Sequence, residues 1–207
     1  LPYIDLTMDA LKKFGCAVNW LDERTLSVSP CTLSPICTYV EGDHSAAASL
    51  IAFNALGGEV FVEGLAEDSH QGDRIYQELF PLLEHKGARI DLDACPDLGP
   101  ILFAIAAAKY GGVFTGTSRL RIKESDRIAT TAALLHSLGG SVEELEDGLL
   151  IHGGHPLSGG TVSGAGDHRI VMSAAVAALV CERPVTVLGA EAVKKSYPLF
   201  FETAISN

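Results

Sequence analysis

Residues 97–115 read Asp97-Leu98-Gly99-Pro100-Ile101-Leu102-Phe103-Ala104-Ile105-Ala106-Ala107-Ala108-Lys109-Tyr110-Gly111-Gly112-Val113-Phe114-Thr115. An aspartate leads into an apolar, alanine-rich run, a glycine pair closes it, and a β-branched and aromatic stretch follows. Ala and Leu favour helix, a run that is apolar on every side predicts a helix buried all round, and the glycines predict a turn into a strand. The same order recurs on either side. Asp43 leads into 45–56, then Gly57-Gly58 and a strand-like 60–62. Asp167 leads into 169–181, then Arg183-Pro184 and a strand-like 185–188.

A second likeness follows each strand. Gln71-Gly72-Asp73-Arg74-Ile75 opens an amphipathic run that stops at Gly87, and Glu124-Ser125-Asp126-Arg127-Ile128 opens another that stops at Gly139-Gly140. Ile128, Ala132, Leu135 and Leu138 are spaced as on one helix face, and glycine suits the left-handed position after a helix end. In the third copy 195–202 takes this place, with Pro198 near a helix start where its missing N–H costs least. Strands are expected at 89–92, 142–145 and 149–152, the last two joined by a turn at Asp147-Gly148. Three helix–strand–helix units of this kind predict an α/β domain.

The opening segment fits only part of a unit: one amphipathic helix over 3–14, a stop at Gly15, and a hairpin from 17–20 and 25–29. Pro30 and Pro35 mark 30–37 as a linker. We therefore read 1–38 as the tail of a preceding, mostly absent domain and 39–207 as a C-terminal domain.

Composition narrows the function. Of 207 residues 47% are hydrophobic, enough for a sizeable core, which excludes a disordered or fibrous chain. Fifteen Lys and Arg against 26 Asp and Glu give a net charge of −11, so a broad nucleic-acid-binding surface is excluded and any anion must be caught by a local cluster. The longest apolar stretches, 101–108 and 170–181, are shorter than the roughly 18 residues of a membrane span. No basic start or apolar leader marks export. Cys16, Cys31, Cys37, Cys95 and Cys181 are odd in number with no C-x-x-C pair, which predicts reduced thiols and a cytoplasmic location.

The cations gather where helices should oppose them. Arg119, Arg121, Lys123, Arg127, Arg169, Lys194 and Lys195 all fall near expected helix starts, where the helix dipole is already positive. Such a place is physically suited to holding phosphate or carboxylate with N–H groups, guanidinium and ammonium. Asp43, Asp97 and Asp167 read as helix N-caps. Glu124, lying among cations, reads either as a salt-bridge partner or as a proton-transfer group. His152-Gly153-Gly154-His155 reads as a turn rather than a metal site.

Arg121-Ile122-Lys123-Glu124-Ser125-Asp126-Arg127 resembles the signature of the 5-enolpyruvylshikimate-3-phosphate (EPSP) synthase family. In the same order Val40-Glu41-Gly42-Asp43-His44-Ser45-Ala46-Ala47, Gln71-Gly72-Asp73, Pro96-Asp97, Gly166-Asp167-His168-Arg169 and Lys195-Ser196-Tyr197-Pro198 are similar to family segments, as is Tyr3-Ile4-Asp5. The likeness extends over the second half of a family member. It implies an enolpyruvyl-transferase-type domain of three βαβαββ-like units with helix N-termini converging on a cleft. It also implies transfer of the enolpyruvyl group of phosphoenolpyruvate to the 5-hydroxyl of shikimate 3-phosphate, without metal or organic cofactor, in a family inhibited by glyphosate.

By the same resemblance Asp97 accepts the proton of the attacking hydroxyl and Glu124 protonates the methylene carbon. Lys123 contacts phosphoshikimate, Arg127, Arg169 and Lys195 hold phosphoenolpyruvate, and His168 supports them. Arg119 receives no role, because some relatives carry a neutral residue there. The family's N-terminal cations and its Ser-Ser-Gln segment are not in this sequence, so the chain is expected to be inactive without an N-terminal domain. A UDP-sugar enolpyruvyl transferase half and a non-catalytic anion-binding module are the alternative readings.

Overall fold

The computed structural model describes residues 2–205. In chain order the elements are α1 (Pro2–Lys13), β1 (Val18–Asp22), β2 (Thr25–Val28), α2 (His44–Ala55), α3 (Tyr76–Leu82), β3 (Arg89–Asp91), α4 (Gly99–Ala108), β4 (Gly111–Thr115), α5 (Arg127–Ser137), β5 (Ser141–Leu145), β6 (Gly148–His152), β7 (Gly160–Ser163), α6 (His168–Ala178), β8 (Val185–Leu188) and α7 (Phe200–Ile205). Short 3-10 turns occupy Gly72–Ile75, Pro96–Leu98, Ser118–Ile122 and Ala190–Lys195.

The middle unit is complete. β3 runs parallel to β4 through the α4 crossover, α5 follows, and the β5–β6 hairpin adds to β4 antiparallel, giving the strand order β3-β4-β6-β5. This is the βαβαββ order in full. The third unit repeats its first half, with β7 parallel to β8 across α6. In the first unit α2 and α3 form but the expected strand at 60–62 does not. That stretch is bound instead by Asn54, whose amide donates to the Val60 carbonyl and accepts from its N–H. One backbone bond, Gly42 N–H to the Gly64 carbonyl at 3.2 Å, links it to the segment before α2. β-branched composition makes a strand only where a neighbouring strand takes up its hydrogen bonds.

α2, α4 and α6, the first helix of each unit, pack against one another to make the core. α4 is buried from Gly99 to Ala107, as its unbroken apolar run requires. Gly99 lets its first turn approach Leu120 closely, since a Cβ there would strike the Leu120 side chain. Gly111 turns the chain into β4 at φ +75, where a Cβ would meet the Ile151 carbonyl of β6. α3 and α5 lie outside, each with a buried and an exposed face.

Two further expectations need correction, and one strand was not expected at all. The third copy's second helix begins at Phe200, beyond Pro198, and 190–195 is a 3-10 turn. β7 had no expectation; four residues including a glycine carry too little pattern. Cys16 and Cys31, expected as thiols, form a disulfide with their Cα atoms 5.6 Å apart. The β1–β2 register explains it, because pairing Val18 with Val28 brings the chain just before β1 opposite the chain just after β2. Residues 29–43 have no regular secondary structure.

Candidate functional site

Asp126 caps α5, accepting from the Ile128 and Ala129 N–H groups, and Asp167 caps α6, accepting from Arg169 N–H at 2.9 Å. Asp43 caps α2 in the same way through Ser45 N–H. Asp97 breaks the series. It sits inside the Pro96–Leu98 turn, the cap position of α4 falls on Leu98 with no side-chain bond, and the Asp97 carboxylate turns away to meet cations. The N-cap reading of Asp97 is thereby overturned, because of the N–H groups it would reach, that of Gly99 already donates to the Pro96 carbonyl and Pro100 has none.

Arg127, at the first position of α5, is the hub. Its side chain is 1% exposed, yet it reaches three carboxylates: Nε lies 2.8 Å from Asp167, Nη1 2.9 Å from Asp97 and Nη2 2.7 Å from Glu124. Around it Lys123 Nζ stands 3.1 Å from Asp97, Arg169 Nη2 3.4 Å from Asp97, and Lys195 Nζ 3.1 Å from Glu124. Four cations therefore face three carboxylates, supplied by the starts of α4, α5 and α6 and by the turn before α7. Four cations against three carboxylates leave one net positive charge, with donors on three sides, a local positive field suited to anions inside an acidic chain.

The electrostatics follow from that packing. Burial pushes the Asp97 carboxyl up, but Arg169, Lys123 and Arg127 outweigh it and hold it below the ordinary carboxylate range. Glu124 is likewise raised by burial and lowered further by its own N–H, Lys195 and Arg127, with a net depression. Asp167, fully buried, is held down by Arg127 against the same burial. His168 is driven toward its neutral form by burial first and by Arg169 second. Its Nδ1 has no hydrogen-bond partner and lies 3.9 Å from Asp167.

All seven residues singled out from the sequence, Asp97, Lys123, Glu124, Arg127, His168, Arg169 and Lys195, thus lie in or beside one cluster. Arg119 and Arg121 do not. Arg119 pairs with Asp93 beside a cavity of about 220 Å³ that Pro2 and Tyr3 also line, and Arg121 faces Asp126 and Glu144. Two participants went unread. Asp167 looked like a cap and is one, but its second oxygen also holds Arg127 and the Ser125 hydroxyl, 3.0 Å away. Tyr3 donates its hydroxyl to Asp97 at 3.3 Å across 94 positions of sequence, a distance at which no local pattern signals contact. Among the described residues no group of His, Cys, Asp and Glu is placed to hold a metal ion. None of the described helices is long and apolar enough to cross a membrane.

Repeated βαβα units that aim buried helix starts and paired cations at one edge define an enolpyruvyl-transferase-type α/β domain. A solved enolpyruvyl transferase, NikO from Streptomyces tendae, shares the fold at a TM-score of 0.65 over 99% of this chain, with 16% identity. Residues 1–81 and 76–204 match the family described as EPSP synthase (3-phosphoshikimate 1-carboxyvinyltransferase). The chain belongs to the EPSP synthase family. It is 40% identical to the 3-phosphoshikimate 1-carboxyvinyltransferase of Clostridium acetobutylicum, over 96% of this chain and 50% of that protein. With the Clostridium kluyveri enzyme it shares 38% identity, over 97% and 51%. The EPSP synthase structure from Acinetobacter baumannii superposes with a TM-score of 0.83 at 27% identity, covering 97% of this chain and 53% of that one. The chain spans about half the length of the relatives it matches.

Proposed function

We propose that the chain supplies the C-terminal half of an enzyme that moves the enolpyruvyl group of phosphoenolpyruvate onto the 5-hydroxyl of shikimate 3-phosphate, releasing phosphate. The observation that carries this reading is one guanidinium, Arg127, shared by Asp97 and Glu124 at 2.9 and 2.7 Å. It spaces two carboxylates of opposite duty around a single cationic floor. Asp97, held ionised by three cations, takes the proton of the attacking hydroxyl. Glu124 delivers a proton to the methylene carbon, which makes the neighbouring carbon electrophilic enough for the hydroxyl oxygen to add. Glu124 then takes a proton back from the resulting methyl carbon, phosphate leaves the tetrahedral adduct and the double bond reforms.

Lys123, Arg169 and Lys195 bind the phosphate and carboxylate groups, and Arg127 sets the geometry from beneath, with His168 beside Asp167. Glu124 is ionised in the free chain, which is the wrong state for an acid. Two phosphates and two carboxylates docking on these cations offset the positive field and raise its proton affinity, so the proton arrives with the substrates. In this reading 39–207 is the catalytic half, 1–38 belongs to the preceding domain, and an N-terminal domain completes the cleft from the other side in the cytoplasm.

The test is complementation. This chain, the N-terminal half of the Clostridium acetobutylicum enzyme, and the two together are each given phosphoenolpyruvate and shikimate 3-phosphate, and phosphate release is followed. Turnover with both halves and none with either alone is expected, and Asp97→Asn or Glu124→Gln abolishes it. Full turnover by this chain alone, or undiminished turnover in both variants, overturns the assignment.

A further inference from the structure

Residues 2–34 form a unit with a small apolar core of its own. Its core is Met8, Cys16 and Val18, bordered by Ile4 and Leu11, and is separate from the cores under the three repeats. So few apolar side chains cannot secure a fold unaided. The β1–β2 ladder and backbone bonds such as Cys16 N–H to Leu11, Ser29 N–H to Ala17 and Ser34 N–H to Phe14 join its parts, and Trp20 Nε1–H to Asp5 at 3.3 Å ties the hairpin to α1. The Cys16–Cys31 disulfide closes it, joining the end of α1 to the chain beyond the hairpin. The opposite end of α1 reaches the functional site: Pro2 lies against Gly72, and the Tyr3 hydroxyl rests on Asp97.

The two sulfurs stand differently. Cys16 is 4% exposed, with the Ser29 carbonyl 3.9 Å from its sulfur, while Cys31 is exposed. We propose that Cys16–Cys31 is a thiol–disulfide exchange site for a dithiol, and that its state sets how firmly α1 holds Tyr3 against Asp97. A thiolate of the dithiol attacks the Cys31 sulfur, the Cys16–Cys31 bond breaks, and Cys16 leaves as a thiolate that takes a proton from water and finds an acceptor in the Ser29 carbonyl. The second thiol of the dithiol then attacks its partner sulfur in the mixed disulfide and frees Cys31. Two electrons pass to the protein, and the dithiol becomes a cyclic disulfide. With the loop open, the hairpin no longer braces α1 and the Tyr3 contact loosens. The proposal is independent of the transfer reaction, since it concerns this chain alone.

Trp20 is the only tryptophan, and its bond to Asp5 makes it a reporter of hairpin packing on α1. Chain purified without reductant, alkylated in denaturant and peptide-mapped is expected to show Cys16 joined to Cys31, with Cys37, Cys95 and Cys181 free. Dithiothreitol is expected to free both. In the native state it is then expected to speed amide exchange over 3–16 on the order of a hundredfold, the closure entropy of a loop of this size. It also raises iodide quenching of Trp20 and exchange at 95–98, and leaves 101–107 unchanged. Cys16→Ser behaves as reduced protein with or without dithiothreitol, and Cys37→Ser responds like the parent. If Cys16→Ser does not fold, the dithiothreitol-treated parent carries the test. All thiols free in the oxidised sample, a different cysteine pairing, or opening that leaves 3–16, Trp20 or 95–98 unmoved would each overturn the proposal.

Discussion

Replacing Asp167 by alanine tests whether the cluster is assembled from its buried base. Asp167 is fully buried, receives Arg127 Nε at 2.8 Å and Nη2 at 3.3 Å, holds the Ser125 hydroxyl, and caps α6. Removing one partner of a buried ion pair costs about 3–5 kcal/mol. The lower figure applies, because Arg127 keeps Asp97 and Glu124. Loss of the cap adds about 1 kcal/mol, for a total of about 4 kcal/mol. Asp167→Asn keeps one acceptor oxygen, enough for the cap, but turns an NH2 donor toward Arg127, so it is expected to lose the ion-pair part, about 3 kcal/mol, and to keep the cap. Urea unfolding followed by far-ultraviolet circular dichroism measures both. The folded pKa of Asp167 is depressed, so its contribution is complete above the ordinary carboxylate range and disappears as pH falls through the folded value. The gap between parent and Asp167→Ala should therefore shrink below about pH 4. An alanine variant within 1 kcal/mol of the parent at pH 7, or an asparagine variant as damaged as the alanine one, refutes the hub.

Gly99→Val drives a side chain into Leu120 at the start of α4 and is expected to cost about 1–3 kcal/mol, read by thermal melting. Leu102→Ala opens a cavity in the fully buried α4 and is expected to cost about 2–5 kcal/mol in the same assay. Burial, then Arg169, lowers the folded pKa of His168, so protons favour the unfolded chain and stability falls as pH drops below about 6.5; His168→Gln should flatten that slope in urea titrations. Asp73 is raised by burial, with Ser45 opposing, so its carboxyl charges at a higher pH folded than unfolded and stability declines as pH rises through the folded value. Asp73→Asn should accordingly be more stable than the parent at pH 7, and the gain should vanish toward pH 4.

The sequence exposed what is periodic. Runs that are apolar on all sides at 45–56, 98–109 and 169–181 became the three central helices, since burial on every face is written into composition. The cation clusters were legible because positive charge at a helix start opposes the dipole and needs another reason. What escaped depended on partners. The stretch 60–62 has strand chemistry but no ladder, the Cys16–Cys31 bond depends on hairpin register, and Tyr3 meets Asp97 only after the whole chain has folded. The second use of Asp167 was hidden by the first, because a cap and an ion-pair acceptor look identical in sequence.

α4 has no face on solvent, and Asp97 is joined to its first turn. A helix so enclosed has no low-energy excursion of its own and lets go only when the molecule melts. With the Cys16–Cys31 bond closed, Asp97 should hence keep its position right up to denaturation, and heat should silence the site in the same cooperative step that dissolves the core rather than by gradual fading.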